Sequence, residues 1–204
     1  MNSDFWRGRR VFLTGHTGFK GGWLSHVLRR LDAEVHGYAL DPDGEPSFFS
    51  QAGVATLLAT DTRANLRDAS HVATAMATAA PEVVLHLGAQ SLVRESYRDP
   101  VGTFATNVLG TAHVLDAARS VPSIKSIVVV TSDKCYRDIA LGRAMTEQDA
   151  LGGDDPYSAS KGAAEIVTHA FRASFGMNSA SPGALARVAS ARAGNVIGGG
   201  DWAA

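Results

Sequence analysis

Tyr157 and Lys161 stand four residues apart in the stretch Tyr-Ser-Ala-Ser-Lys, a spacing that puts both side chains on one face of a helix. A phenol has an ordinary pKa near ~10 and is a poor base at neutral pH. A neighbouring ammonium stabilises the phenolate, so the tyrosine gains the ability to take a proton from an alcohol. The alternative interpretation is an ordinary pair of side chains on a helix surface.

A second group of reactive side chains follows the clearest buried strand pattern of the chain, residues 127–131. Ser132, Asp133 and Lys134 offer a hydroxyl, an acid and an ammonium in succession. Because ligands of open α/β sheets bind outside the carboxyl ends of strands, we interpret this group as part of a prepared site. An ordinary polar loop is the alternative. The neighbouring Cys135 carries no mark of a nucleophile and is interpreted as a packing residue.

The sequence TGHTGFKG spaces Gly15, Gly18 and Gly21 three residues apart, between an apolar run and an amphipathic helical pattern. Such glycines turn the chain, let a pyrophosphate approach the backbone, and pack a helix onto a strand. The free amides and the positive end of the helix dipole then face the phosphates. This pattern predicts a dinucleotide site, and a tight strand–helix turn without a ligand is the alternative.

Asp41 follows the second predicted strand, about 20 residues beyond the last of these glycines, where an acid can bind a ribose hydroxyl. No arginine lies between residues 31 and 62 to receive a 2′-phosphate. We therefore predict NAD rather than NADP as the cofactor, and its positive nicotinamide ring would further stabilise a Tyr157 phenolate. The alternative role for Asp41 is to open an Asp-Pro turn.

Short apolar runs alternate with helical patterns along the whole chain. This alternation, with strands too apolar to have a wet face, predicts a parallel sheet covered on both faces. The predicted fold class is α/β, a Rossmann-type doubly wound parallel sheet with helices on both faces. Asp154 and Asp155 are the predicted caps of the helix that carries Tyr157. The predicted strands span residues 11–13, 35–40, 57–59, 83–87, 127–131 and part of 185–197, and the predicted helices include 19–31, 68–80, 101–115 and 156–171.

Two of these helices carry apolar residues at helical spacing. The chain is interpreted as one NAD-binding domain, residues 1–204, with the start of a substrate-binding region at about 176–204. Residues 176–183 have the composition of a surface loop. The stripes are Val101, Phe104, Val108, Ala112 and Leu115 in one helix, and Ala163, Ile166, Val167, Ala170 and Phe171 in the other.

Composition excludes several classes of protein. A chain of 204 residues, 45% hydrophobic and 19% charged, suits one domain with a sizeable core. Nineteen basic residues against twenty acidic ones give no support to a nucleic-acid partner. No apolar run approaches the ~20 residues of a membrane span, and the start of the chain lacks the apolar segment of a secretory signal. One cysteine, and seven histidines without metal-ligand spacing, predict a cytoplasmic protein with neither a disulfide nor a metal.

Together these motifs resemble the extended short-chain dehydrogenase/reductase family, in its sugar-nucleotide branch, from about Arg10 to Trp202. Within that branch TGHTGFKGGWL, SLVRESYRDPVGTFATNVLGT, TSDKCY, DPYSASKGAAE and RAGNVIGGGDW are similar to the CDP-glucose 4,6-dehydratases. Lys134 stands where dTDP-glucose and GDP-mannose dehydratases are expected to carry a glutamate, and sugar epimerases lack the Asp133–Lys134 pair. The family continues past the position of Ala204 into a last core strand and a small substrate-binding lobe, so we expect most of that lobe to be missing.

The resemblance implies NAD-dependent dehydration of CDP-glucose to CDP-4-keto-6-deoxyglucose. Tyr157 would deprotonate the C4 hydroxyl as hydride passes to NAD, water would leave across C5–C6, and hydride would return to C6. Lys161 would lower the pKa of Tyr157 and hold the nicotinamide ribose. Ser132 would hydrogen-bond the C4 oxygen, Asp133 would protonate the departing hydroxyl, and Lys134 would assist at C5. The alternatives are a sugar-nucleotide 4-epimerase and a nucleotide-binding domain without activity.

The resemblance also implies residues that bind cofactor and substrate. Asn65-Leu66 stand where the family usually has Asp-Ile against the adenine, so we expect weaker adenine binding, and Gly88 stands where an alanine is common. Two long helices, roughly residues 101–119 and 157–175, are the expected contact surface of a homodimer. The complete predicted set is Gly15, Thr17, Gly18, Phe19, Gly21, Asp41, Asn65, Leu66, Leu87, Gly88, Ala89, Asn107, Tyr157 and Lys161 for the cofactor, and Gln90, Ser91 and Asn195 for the substrate.

Overall fold

A computed structural model describes residues 3–44, 46–137, 142–175, 177 and 186–201. Six parallel strands form its centre: β1 (Arg10–Thr14), β2 (Glu34–Ala39), β3 (Thr60–Arg63), β4 (Val83–His86), β5 (Ser126–Val130) and β6 (Arg187–Ala191). They are ordered β3-β2-β1-β4-β5-β6 in a single sheet. The chain changes direction across the sheet between β1 and β4. In doubly wound sheets, the ligand crevice opens at this switch point.

Helices cover both faces of the sheet. They are α1 (Ser3–Trp6), α2 (Phe19–Arg30), α3 (Phe48–Gln51), α4 (Ala69–Ala79), α5 (Val93–Arg98), α6 (Pro100–Phe104), α7 (Gly110–Arg119) and α8 (Pro156–Ser174). Helices α4, α7 and α8 share a core with Phe12 of β1, and α2 shares the opposite core with Val11 and Leu13. Because neighbouring residues of a strand point to opposite faces, β1 contributes to both layers. The predicted Rossmann-type fold is confirmed.

The third strand lies three residues beyond its predicted position, and that prediction was wrong. Residues 54–57 form a short 3₁₀ turn, in which Val54 is fully buried, and β3 begins only at Thr60. Leu57 of the predicted strand therefore belongs to this turn, and Leu58 and Ala59 lie between the turn and β3. β3 is an edge strand with exposed and half-buried side chains, so its sequence is polar and carries no apolar mark.

The helix that follows β4 is not continuous. Residues 105–109 form a π-turn between α6 and α7. The wider turn rotates the face that the helix presents to the sheet. As a result, Val101 is 77% exposed and Leu115 is fully buried, although both belong to one predicted stripe.

Helix α8 begins as predicted, with the Asp155 carboxylate accepting a hydrogen bond from a backbone amide of the first turn. Its buried face is polar, since Tyr157, Lys161 and Glu165 point inward, whereas Ile166 of the predicted stripe is 60% exposed. Burying polar groups costs free energy unless each is hydrogen-bonded or paired. A helix that turns its polar face inward therefore marks a functional site rather than ordinary core.

Within the described ranges, no helix combines the length and the apolar character needed to cross a membrane. In the same ranges, no three His, Cys, Asp or Glu side chains group together as metal ligands. The predicted surface loop at residues 176–183 lies outside the described residues except for Met177, which is fully buried. Of the predicted substrate-binding region, residues 186–201 are described.

Candidate active site

A cleft of about 720 Å³ opens at the carboxyl edge of the sheet, around the switch point between β1 and β4. The cleft brings together most of the predicted site residues. Those that line it are Gly15, Thr17, Gly18, Phe19, Gly21, Asn65, Leu66, Leu87, Gly88, Ala89, Ser91, Ser132, Lys134, Tyr157 and Asn195. The predicted residues outside the lining are Asp41, Gln90, Asn107, Asp133 and Lys161.

The glycine loop fits a phosphate group because side chains are excluded from it. Gly15 has a φ of +77°, and a Cβ on it would lie 2.8 Å from the amide nitrogen of Gly88. A Cβ on Gly21 would overlap the carbonyl oxygen of Gly15. Gly18 is the N-cap of α2 and has no side chain to take up the free amides of the first turn. A cradle that a Cβ would fill, edged by free amides, suits a dinucleotide diphosphate.

Lys20 also lines the cleft, and the sequence analysis does not single it out. It belongs to the first turn of α2 and makes no ion pair among the described residues. The charge of Lys20 also reaches Lys161. After burial, it is the second largest cause of the lowered pKa of Lys161. The signal that could have found it is a lysine inside the glycine motif itself.

A chain of buried hydrogen bonds forms the floor of the cleft. The Thr14 hydroxyl accepts hydrogen bonds from the amides of Leu87, at 3.1 Å, and Gly88, at 2.9 Å. Its own proton is therefore donated to Nδ1 of His86 at 2.7 Å, and Nε2 of His86 donates to the Thr111 hydroxyl at 3.1 Å. Burial lowers the pKa of His86 to about 3, so the ring is neutral and Nδ1 is free to accept.

Asp41 points away from the cleft. Its side chain is 86% exposed and lies 3.6 Å from Nη1 of Arg63, the first residue beyond the arginine-free window. Parallel pairing of β2 with β3 brings the ends of the two strands together. The Arg63 guanidinium also donates to Asp61 at 2.6 and 2.8 Å and stacks on the Phe49 ring. The spacing along the sequence thus did not reveal Arg63, a cation beside the predicted ribose site that already pairs with Asp41 and Asp61.

Tyr157 and Lys161 are both buried on one face of α8, with Nζ of Lys161 5.9 Å from the centre of the Tyr157 ring. Burial raises the pKa of Tyr157, and a hydrogen bond with Ser132 opposes that rise. Burial, followed by the charge of Lys20, lowers the pKa of Lys161 to about 8. Burial thus leaves Tyr157 a weaker acid than a free phenol in the chain alone, and the lowering of its pKa by Lys161 stays a prediction.

Ser132, Asp133 and Lys134 form a short turn after β5. The Ser132 hydroxyl donates to Oδ1 of Asp133 at 3.0 Å and accepts from the amide of Lys134 at 3.2 Å. Lys134 lines the cleft, whereas the Asp133 carboxylate faces Gly194, on which a Cβ would lie 3.3 Å from Oδ2. Burial raises the pKa of Cys135 to about 11, so this thiol stays protonated and inert, as its interpretation as a packing residue requires.

A buried ion pair behind the site joins α8 to the ends of β5 and β6. Glu165 accepts hydrogen bonds from Thr131, from Ser190 at 2.7 Å and from Arg192 at 2.8 Å, and Arg192 also donates to the Tyr136 hydroxyl at 3.1 Å. Burial raises the pKa of Glu165, but these three bonds outweigh it and bring the pKa below its usual range. Sequence reasoning missed this network, although Glu165 follows Lys161 by four residues, the same spacing that separates Lys161 from Tyr157.

Gln90 and Asn107 bind each other instead of lining the cleft. The Asn107 side chain accepts from the amide of Gln90 at 2.8 Å and donates to its carbonyl at 3.0 Å. It also donates to the Ser160 hydroxyl at 2.8 Å, and that hydroxyl donates to the carbonyl of Tyr157. Asn107 lies in the π-turn, so the turn places an amide that ties α8 to the loop after β4.

Curated proteins that match this sequence include enzymes named for their action on sugar nucleotides. The chain is 46% identical over 203 residues to CDP-glucose 4,6-dehydratase of Salmonella typhimurium, covering 100% of this chain and 56% of that protein. It is 28% identical over 200 residues to GDP-mannose 4,6-dehydratase sdnI of Sordaria araneosa, covering 95% and 35%. The chain therefore spans about half the length, or less, of these relatives.

Solved structures share the fold. A double mutant of DesIV, the dTDP-glucose 4,6-dehydratase of Streptomyces venezuelae with NAD and DAU bound, gives a TM-score of 0.72 at 25% identity over 90% of this chain and 55% of that one. The epimerase Mth375 of Methanothermobacter thermautotrophicus gives 0.74 at 20% identity over 93% and 52%, which is a likeness of fold alone. A family model named GDP-mannose 4,6 dehydratase matches residues 12–197. This chain is a member of the GDP-mannose 4,6-dehydratase family.

Proposed function

We propose that the chain is the cofactor-binding part of an NAD-dependent lyase that dehydrates CDP-glucose to CDP-4-keto-6-deoxyglucose. The observation that carries this proposal is the meeting of Tyr157, Ser132 and Lys134 on one cleft, with the glycine loop among its other lining residues. The 46% identity to CDP-glucose 4,6-dehydratase supports the choice of nucleotide.

The residues of the cleft divide the reaction between them. Tyr157, hydrogen-bonded to Ser132, takes the proton of the C4 hydroxyl. Because burial raises its pKa, the phenolate needs positive charge nearby, and Lys161 lies behind it on the same helix face. Asp133 gives a proton to the hydroxyl that leaves C6 as water. The C5 proton passes to solvent water, and Lys134 stabilises the negative charge of the enolate that forms.

The glycine loop and the edges of β1, β2 and β4 hold NAD in this proposal. Gly15 and Gly21 leave room for the diphosphate, and Asn65 and Leu66 lie where the adenine would pack. When bound, NAD supplies the acceptor for the C4 hydride and the donor that returns it to C6. Asp41 would reach the ribose only by leaving its ion pair with Arg63.

The pair at Asp133 and Lys134 favours a dehydratase over a 4-epimerase. An epimerase removes and returns hydride at one carbon and needs no acid for a leaving hydroxyl. Here Lys134 lines the cleft, and the Asp133 carboxylate accepts from Ser132, next to the proposed base. The remaining alternative is a domain that binds nucleotide without turning it over.

The test uses CDP-glucose labelled with deuterium at C4, incubated with the chain and NAD and followed by mass spectrometry and NMR. We expect the product to lose one water and to carry the deuterium at C6. Tyr157→Phe should slow the reaction by about a thousandfold while NAD still binds, because only the base is removed. A product of unchanged mass with inverted C4 would identify an epimerase, and NAD binding without conversion would favour the silent domain.

We also propose that two copies of the chain pair through α6 and α8. These helices pack against each other and leave three apolar side chains exposed: Val101 by 77%, Phe104 by 38% and Ile166 by 60%. Tyr97 of the neighbouring α5 is 67% exposed. Contiguous exposed apolar residues are typical of an interaction surface. Light scattering should give a dimer, which Val101→Asp should convert to a monomer. A monomer of the unmodified chain would contradict the proposal.

A further inference from the structure

Residues 194–201, here called the strap, follow β6 and form one wall of the cleft. The strap and the glycine loop line the same space. Ile197 of the strap is 95% exposed, an apolar side chain left beside the cleft with little protein around it. The strap residues that line the cleft are Gly194, Asn195, Val196, Ile197, Gly198 and Asp201.

Three aromatic rings, here called the aromatic seat, support the strap: Phe19 and Trp23 from α2, and Phe48 from α3. The rings of Trp23 and Phe48 stack with centroids 5.1 Å apart and planes 28° apart, and Phe19 meets Phe48 edge-on at 6.0 Å. Nε1 of Trp23 donates a hydrogen bond to the carbonyl oxygen of Gly199 at 3.0 Å. The seat therefore fastens the strap to the helix that begins at the glycine loop.

The three glycines at the end of the strap differ in what surrounds them. Gly200 has a φ of +86°, and a Cβ on it would overlap the Phe48 ring. A Cβ on Gly198 would lie 3.1 Å from the tip of Phe19. A Cβ on Gly199 would enter open space. The backbone of the strap thus rests directly on the seat at two points, and a side chain at Gly200 would lift it off.

We propose that Trp23, Phe19 and Phe48 are positioning residues that hold the strap opposite the glycine loop, so that a diphosphate ester is bound between the two. Helix α2 serves both walls, since its first turn follows the glycine loop and Trp23 fastens the strap about one turn later. A diphosphate ester is the ligand class because the facing wall offers backbone amides and the Lys20 ammonium, which has no ion pair within the described part of the chain. NAD and CDP-glucose both contain this group, so the inference rests on the proposed function.

The test compares Gly200→Ala with Gly199→Ala, two neighbouring positions with different surroundings. Calorimetry measures the affinity of each variant for NAD alone and for CDP-glucose in the presence of NAD. We expect Gly200→Ala to weaken at least one affinity by about tenfold or more, and Gly199→Ala to leave both within about twofold. Loss confined to NAD assigns the strap to the cofactor's diphosphate, and loss confined to CDP-glucose assigns it to that of the substrate.

A second variant, Trp23→Phe, keeps an aromatic ring in the seat and removes the hydrogen bond to Gly199. The expected result is a weakening of the same affinity by about threefold to fivefold, with kcat at saturating ligands unchanged. A residue that only stabilised the fold would not separate KM from kcat in this way. If Gly200→Ala does not fold, Trp23→Phe still tests whether the aromatic seat positions the strap.

Equal effects of the two alanine substitutions would overturn the proposal. So would unchanged affinities of Gly200→Ala and Trp23→Phe in proteins whose circular dichroism matches that of the unmodified chain. Failure of the proposed function looks different, because the unmodified chain would then bind NAD without converting CDP-glucose, or would give a product of unchanged mass.

Discussion

Around the glycine loop the protein makes room by leaving side chains out, whereas around α8 it buries charged side chains and pairs them. At Gly15 and Gly21 a single Cβ would collide with neighbouring backbone. On α8, Lys161 and Glu165 are buried away from solvent, and their pKa values are shifted. The difference follows from the tasks, since a diphosphate needs close approach to amides and proton transfer needs groups with adjusted affinity for protons. Substitutions on α8 should therefore change mainly stability and its pH dependence, and substitutions in the glycine loop should change mainly ligand affinity.

The largest effect is expected at the buried ion pair. Glu165→Gln should lower the free energy of unfolding by about 3 kcal/mol, because it leaves the Arg192 guanidinium without its anion in a mostly buried place. Urea denaturation measures this loss. The matched control is Glu95→Gln, which breaks an exposed pair with Arg98 and should cause no measurable change. Equal stability of the two variants would show that the network behind α8 is not structural.

The next effect is the pH dependence that Lys161 gives to stability. Its pKa in the folded chain, about 8, lies below the ordinary value of 10.5, so folding releases a proton between these values and stability rises with pH there. Cys135, with a pKa raised to about 11, acts in the opposite direction, so a difference between two proteins is needed. Only the unmodified chain gains stability from this proton release. Its free energy of unfolding should therefore approach that of Lys161→Met by about 2 kcal/mol between about pH 7.5 and about pH 9.5. A constant gap would mean that Lys161 titrates normally.

On the glycine side, stability should change less than affinity. Gly21→Ala should weaken NAD binding by about tenfold or more, since its Cβ overlaps the carbonyl oxygen of Gly15 and the loop must open. Gly199→Ala is the control, because Gly199 does not line the cleft and a Cβ on it would enter open space. Fluorescence titration of NAD compares the two. Similar affinities would contradict a cradle shaped by close backbone contact.

The smallest expected effect concerns the choice between NAD and NADP. Asp41→Asn removes the carboxylate 3.6 Å from Nη1 of Arg63, and with it the negative charge that would repel a 2′-phosphate. The preference for NAD over NADP should fall by about fivefold, measured as the ratio of the two dissociation constants. Asp43→Asn, a neighbouring change without an ion pair to Arg63, should leave the ratio unaltered. An unchanged ratio in Asp41→Asn would remove this residue from the cofactor site.

Much of the fold was predictable because strand runs and caps are local signals. The run at β5, and the cap that Asp155 gives α8, occur as predicted. The position of β3 was not predictable from apolarity, because an edge strand buries little. Nor could the faces of the helices be predicted, since the π-turn at residues 105–109 changes the phase of the pattern without any mark in composition.

The site itself was predictable only where a motif carried it. The glycine loop, Tyr157 and Lys134 meet at the cleft because motifs at strand ends converge at one edge of a sheet. Arg63 and Arg192 went unnoticed, because Asp41 and Glu165 are distant from them in sequence and only the fold brings each pair close. The opposing effect of burial on the pKa of Tyr157 could not be predicted, because spacing reports neighbours but not the depth of burial.

The Thr14–His86–Thr111 chain has a consequence for local motion. Each proton along it has one acceptor, and the Thr14 hydroxyl also holds the amides of Leu87 and Gly88. Those two amides can exchange with solvent deuterium only when β1 and β4 separate, which requires opening the middle of the sheet. The floor of the cleft should thus be among the last parts of the molecule to open locally.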